Sequence, residues 1–145
     1  MITNERQYKI TRTQLRGFEK ALAAAVADGP GVDVDPRIHQ VMIDGLEGQI
    51  DDLKEQLERY ETLKSGRTSR VSLTSILELL PTLIEARIAA GLTQRTLSER
   101  LGVAEQQVQK WEATTYAGVS VERVQNVADA VGLTIREEVI YGRKD

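Results

Sequence analysis

The sequence contains no cysteine, which excludes disulfides, thiolate nucleophiles, iron–sulfur clusters and cysteine-based zinc sites together. Histidine, tryptophan and phenylalanine occur once each. With aromatic residues at 4% and apolar residues at 41%, a core has to be assembled from Leu, Ile, Val and Ala, which is a helical palette. No apolar run approaches the roughly 18 residues needed to span a bilayer, and the polar start Met1 to Tyr8 does not have the form of a secretion signal. A cytoplasmic protein with no membrane partner is expected. Catalytic equipment is equally scarce. His39 alone cannot anchor a triad, and there is no glycine-rich phosphate loop, metal-ligand spacing or pocket-forming set of carboxylates, so no enzyme, cofactor or metal site is expected.

The net charge is -3, and its distribution is uneven. Residues 1–65 carry nine Lys or Arg against twelve Asp or Glu, whereas residues 66–145 carry ten against ten. A neutral second half does not advertise phosphate binding, which ordinarily shows as a basic surface. The 145-residue length fits one domain, or one small domain with an extension, and the patterning favours the second arrangement.

Thr11 and Gln14 have capping-box spacing, and from there a helix to about Ala27 places Leu15, Phe18, Leu22, Ala25 and Val26 on one face. Asp28 to Asp35, rich in Gly and Asp, reads as a turn. Asp35 can then cap a second helix with Pro36 at its first position, running to about Lys64. Ile43, Leu46, Ile50, Leu53, Leu57 and Tyr60 alternate steps of three and four, the seam of a coiled coil, and are the expected dimer or partner interface. Gly45 and Gly48 weaken the start of that seam, each by up to about 1 kcal/mol relative to Ala. His39 lies near it, as an ordinary packed or half-exposed imidazole. Residues 1–64 are thus expected to form a helical hairpin, 65–70 a linker, and 71–145 a second domain.

In that second domain, Val71 to Leu80 reads as a short helix or turn, and Pro81 opens a helix to about Ala90. The informative stretch follows, from Gln94 to Thr114. Gly102 stands where two helices meet in a sharp turn that a Cβ would penalise, and Ala104 starts the next helix. Leu97, Leu101, Val103, Val108 and Trp111 are the apolar positions around the turn, and Ser98 is small enough for close helix approach.

Together with Leu92-Thr93-Gln94, this pattern closely resembles the Cro/C1, or XRE, family of helix-turn-helix regulators, over about Pro81 to Leu133. It is also similar to a bacterial subgroup carrying a helical N-terminal extension. Ser98 in place of a usual Ala, and Ala104 in place of a usual Ser or Thr cap, depart from the pattern. The resemblance implies a mainly α protein: an N-terminal hairpin followed by a lambda-repressor-like helix-turn-helix bundle. It implies double-stranded DNA as partner and residues 104–113 as the recognition helix in the major groove. Gln106, Gln107, Lys110 and Glu105 are then the candidate base contacts, and Thr93, Gln94, Arg95 and Gln109 the candidate phosphate contacts. Trp111 is expected to pack in the core and Glu112 to make a structural hydrogen bond or ion pair. Two functional readings follow: a homodimeric transcriptional regulator, expected as a repressor, or an antitoxin-like protein that holds a toxin with its hairpin and represses its own operon.

Ser120 to Val131 reads as a closing helix with Val121, Val124, Val127 and Val131 inward. Leu133 to Tyr141, with Leu133, Ile135, Val139, Ile140 and Tyr141, has the character of a short strand that pairs with its copy or packs on the domain.

Overall fold

In the computed structural model, residues 1–142 are described; residues 143–145, which the sequence reading includes in the second domain, lie outside them. The chain divides into two compact units, one from Met1 to Val71 and one from Ser72 onward.

The first unit is a two-helix hairpin. Its first helix, α1, spans Glu5–Asp28. It starts well before the expected Thr11, because Asn4 is the cap: its side-chain oxygen accepts from the Gln7 N–H at 2.9 Å. The Gln7 side chain in turn accepts from the Thr3 N–H at 2.8 Å and the Thr3 hydroxyl at 2.9 Å. This resembles the reciprocal capping box, except that Gln7 reaches back to Thr3 rather than to the cap residue itself, and it lies about two turns upstream of the one expected. The second helix, α2, spans Pro36–Lys64, with the Asp35 carboxylate accepting from the Arg37 N–H at 2.8 Å as the Asp-Pro pair anticipates.

Cross-contacts fix the two helices as antiparallel. The Lys64 ammonium meets Glu5 at 2.6 Å, the Tyr8 and Tyr60 rings stack at 5.2 Å, Lys54 lies 3.6 Å from Glu19, and His39 Nε2 hydrogen-bonds the Ala25 carbonyl at 3.0 Å. The Tyr8 hydroxyl donates to Glu61, and this acceptor raises the tyrosine's pKa by favouring its protonated form. Leu15, Phe18, Leu22 and Ala25 are half-buried as the helical spacing requires, but Val26 is 61% exposed.

The expected coiled-coil seam is where α2 is least exposed. Ile50, Leu57 and Tyr60 are buried, and Ile43, Leu46 and Leu53 half-buried, on the helix that packs against α1 of the same chain. Within the chain this seam packs on α1, and Ile43, Leu46 and Leu53 keep part of their surface open. Of the large apolar side chains that remain outward in this unit, Val26, Val32, Val34, Ile38, Val41 and Met42 lie in or beside the hairpin's turn, and Met1 and Ile10 lie toward its other end.

The second unit opens with a 3-10 turn, Ile76–Glu78. The Glu78 carboxylate accepts from the Thr74 N–H and hydroxyl, each at 2.8 Å, and these bonds hold its pKa below the ordinary value. Helix α3 follows directly at Leu79–Ala89. Pro81 thus falls inside its first turn rather than at its start, still among the positions that need no N–H. Helices α4 (Gln94–Leu101), α5 (Glu105–Ala113) and α6 (Val121–Ala130) complete the bundle. Leu79, Leu83, Ile84, Ile88, Leu97, Val108, Val124, Val127, Ala128 and Val131 are its buried apolar positions, whereas Val121, expected inward, is 77% exposed. No strand forms among the described residues, and the stretch from Leu133 to Gly142 has no regular secondary structure.

The position of the first cap has a measurable consequence. Asn4→Ala is expected to destabilise the first unit by about 1 kcal/mol, while Gln14→Ala, exposed within α1, stays within about 0.5 kcal/mol. Urea unfolding of the full chain, followed by helical circular dichroism, measures both.

Candidate nucleic-acid interface

The turn between α4 and α5 is set by Gly102, at φ 66°, ψ 32°, left-handed as the sequence required. Its N–H and that of Val103 close onto the last carbonyls of α4. Thr93 caps α4, its hydroxyl accepting from the Thr96 N–H at 3.0 Å. Ala104 starts α5 with no side-chain cap, so α5 owes its place to packing rather than to a capped start. Leu97 and Val108 are fully enclosed, Leu101, Val103 and Trp111 half-buried, and Ser98 buried with its hydroxyl donating to the Arg95 carbonyl at 2.7 Å.

What fixes α5 against the rest of the bundle is a buried polar knot. Arg87 of α3 is 2% exposed and Glu112 of α5 is 3% exposed. The guanidinium grips the carboxylate with two bonds, Nε to Oε1 at 2.5 Å and Nη2 to Oε2 at 2.8 Å, while Nη1 donates to the Leu92 carbonyl at 2.8 Å. Gln94, at the start of α4, adds a third donor to Glu112 at 2.7 Å. A bidentate pair with its remaining groups satisfied is the geometry in which a buried ion pair is tolerated. The structural role expected for Glu112 is thus the one it has.

The same knot engages Gln94, one of the candidate phosphate contacts: its side chain is 7% exposed and its amide nitrogen donates to Glu112. Arg87 went unremarked in the sequence, although the spacing Leu83, Ile84, Arg87, Ile88 puts it on the apolar stripe of its helix. A cation on a core stripe is the signal that a buried anion must lie opposite.

The other candidates lie on one surface. Glu105, Gln106, Gln109 and Lys110 are exposed and Gln107 half-buried along the outer side of α5, and Thr93 and Arg95 are exposed at the start of α4. Gln106, Gln107 and Lys110 make no side-chain hydrogen bond among the described residues. Gln109 reaches back to Glu105 at 3.4 Å, and Arg95 forms an exposed ion pair with Glu99 at 3.2 Å, a contact of little net worth that another anion can displace. The Thr93 hydroxyl is occupied as a cap. A shallow cleft beside α5 is lined by Gln107, Lys110, Trp111, Ser120 and Arg123. The Arg123 guanidinium lies 5.4 Å from the Trp111 ring centre, whose other neighbour is the Tyr116 ring at 6.2 Å. Trp111 is therefore a packing residue with one edge open, as expected.

Tyr116 is buried, and its hydroxyl has no hydrogen-bond partner. Both it and Thr115 take left-handed backbone conformations, φ 57° and 51°, which non-glycine residues adopt at a cost of about 1–2 kcal/mol each. The tight reversal after α5 thus drives an aromatic ring beneath Trp111. Burial, reinforced by the nearby Glu112 carboxylate and opposed by Arg87, pushes the Tyr116 pKa up.

Residues 83–137 match a family model described as helix-turn-helix. No curated protein and no solved structure matches the chain.

Two predictions follow from the knot and the ring above it. Glu112→Ala leaves the Arg87 charge buried and unpaired and is expected to cost about 3–5 kcal/mol, whereas the double replacement Arg87→Met with Glu112→Leu recovers most of that loss; thermal melts distinguish the two. Since the Tyr116 pKa is raised on folding, its neutral form stabilises the fold fully below the unfolded value near 10, and that contribution falls away as pH rises above it. Tyr116→Phe, which also removes an unpaired buried hydroxyl, should be as stable as the parent at neutral pH and less sensitive to alkali in the same melts.

Proposed function

Because residues 83–137 belong to the Cro/C1, or XRE, type of helix-turn-helix family, we propose that the chain binds operator DNA as a homodimer and represses transcription, reading base pairs with α5. At the coarser level the family already specifies a DNA-binding transcription regulator. The observation that carries the finer reading is the outer side of α5: Gln106, Gln107 and Lys110 have no side-chain hydrogen bonds among the described residues, on a helix whose inner side is locked by Val108 and Glu112.

The chemistry of those side chains suits base edges. A glutamine amide offers a donor and an acceptor together, matching N6 and N7 of adenine, and a lysine reaches guanine O6 or N7 or a nearby phosphate. Glu105 accepts from cytosine N4 in this reading. Arg95, Gln109 and the N-terminal turn of α4 at Thr93 hold phosphates, with the helix dipole adding to the attraction. Two copies related by a two-fold axis present their recognition helices to half-sites about 34–36 Å apart, and occupancy of such a site within a promoter is repression.

A second reading keeps the same DNA contacts and gives the hairpin a toxin as partner, which makes the protein antitoxin-like. It is favoured by the outward Val26, Ile38, Val41 and Met42 near the hairpin's turn, and by the acidic run along α2. A complex between the product of an adjacent toxin-like gene and this chain, lost on Val41→Asp, decides for it.

The base-reading proposal is tested by titrating the preferred duplex. Gln106→Ala and Gln107→Ala are each expected to cost about 1–3 kcal/mol and to relax preference at one base pair, whereas Arg95→Ala weakens binding to all sequences and lowers the salt slope by about one. Unchanged specificity in both glutamine variants would remove α5 as the reading helix.

A further inference from the structure

We propose that the segment Leu133 to Tyr141 is the dimer contact: it pairs antiparallel with the same segment of a second copy, centred on Glu137, to form a two-stranded ribbon. This rests on the homodimer reading above and names a surface through which the two copies meet.

The segment has the two properties of an unpaired edge. The segment forms no regular secondary structure, and beyond the Leu133 N–H, which bonds to the Ala128 carbonyl at 2.9 Å, no backbone group from Thr134 to Gly142 pairs with another among the described residues. Its apolar side chains are also uncovered: Val139 is 75%, Ile140 83% and Tyr141 90% exposed. Backbone donors and acceptors beside exposed β-branched and aromatic residues are what strand addition uses. The base of the segment is anchored, since Leu133 and Ile135 are half-buried and line a cleft with Gln125 and Asp129 of α6.

The sequence selects both the occupant and the register. In a two-fold antiparallel ribbon centred on Glu137, Arg136 of each copy lies directly opposite Glu138 of the other, giving two opposite-charge cross-strand pairs. On the other face Ile135 lies opposite Val139, and Leu133 opposite Tyr141, each pair occurring twice. Moving the centre by one residue in either direction places Arg136 opposite itself or Glu138 opposite itself, with Ile135 or Val139 against Glu137. Only one local centre therefore satisfies charge and apolarity together. Its one unfavourable pair is Glu137 against Glu137 on the axis, where two carboxylates repel. That repulsion weakens the ribbon without shifting it.

Because the chain has no cysteine, single cysteines report this geometry without background. In full-length protein, Glu137→Cys is expected to cross-link between copies on mild oxidation, since directly opposed residues lie about 4.5–5.5 Å apart. Ile135→Cys and Val139→Cys alone are expected not to, their symmetry mates being about 13 Å apart, but an equal mixture of those two variants should give the 135–139 cross-link. Sedimentation of charge variants supplies the second measurement. Arg136→Glu is expected to weaken the dimer at least 10-fold, Arg136→Glu combined with Glu138→Arg to restore it, and Glu137→Gln to tighten it. A dimer that shows no cross-link at position 137, or cross-links equally at all three positions, overturns the ribbon while leaving the homodimer standing. A chain that stays monomeric, free and on its operator, overturns both.

Discussion

The helix-turn-helix depends on one buried ion pair. Arg87, Glu112 and Gln94 come from α3, α5 and α4, and their hydrogen bonds are the polar link that joins all three. Apolar contacts are non-directional and tolerate small rotations of a helix about its axis. A bidentate guanidinium–carboxylate contact does not, because both bonds are lost together when the planes tilt. A helix that reads base edges has to present its side chains at a fixed angle, and α5 has no cap at Ala104 to hold its first turn. The knot supplies the angular constraint at its other end, one residue from Trp111 and a turn beyond Gln107.

This arrangement divides α5 by chemistry. Val108 and Glu112 face inward and are consumed by packing and by the knot, so Gln106 and Lys110 are left to solvent, and Gln107 partly so, by the geometry of the helix alone. The electrostatics are consistent with a reader that leans on direct contacts. Residues 66–145 carry equal numbers of basic and acidic groups, so sequence-independent attraction to phosphate is modest. In the proposed dimer, discrimination then rests on hydrogen bonds to bases and on two-fold symmetry, which doubles the contact set.

Much of this was legible from the residues. Gly102 and the flanking Leu97 and Val108 specify the turn, because only one backbone conformation and one face satisfy them. Asp35-Pro36 marks the second helix to the residue. The α2 seam was legible as a seam, but periodicity states that a helix needs a partner and not which one; within the chain α1 packs against it. The start of α1 was missed because Asn4 and Gln7 sit in a polar stretch with no apolar periodicity to draw attention to their capping spacing. The inward turn of Gln94 is not legible, because a glutamine at a helix start is polar wherever it points; only the position of Glu112 in space turns it inward. Tyr116 was invisible for a related reason, since its burial comes from a left-handed turn at two non-glycine residues that no local pattern announces.

The central claim, that the outer side of α5 reads operator sequence from a frame held by the Arg87–Glu112 knot, is tested most directly by selecting bound duplexes from a random library with the full-length chain. The account predicts enrichment of an inverted repeat whose half-sites are one helical turn apart. Failure to enrich any sequence, or enrichment of the same sequence by a variant with Gln106, Gln107 and Lys110 all replaced by Ala, would contradict it.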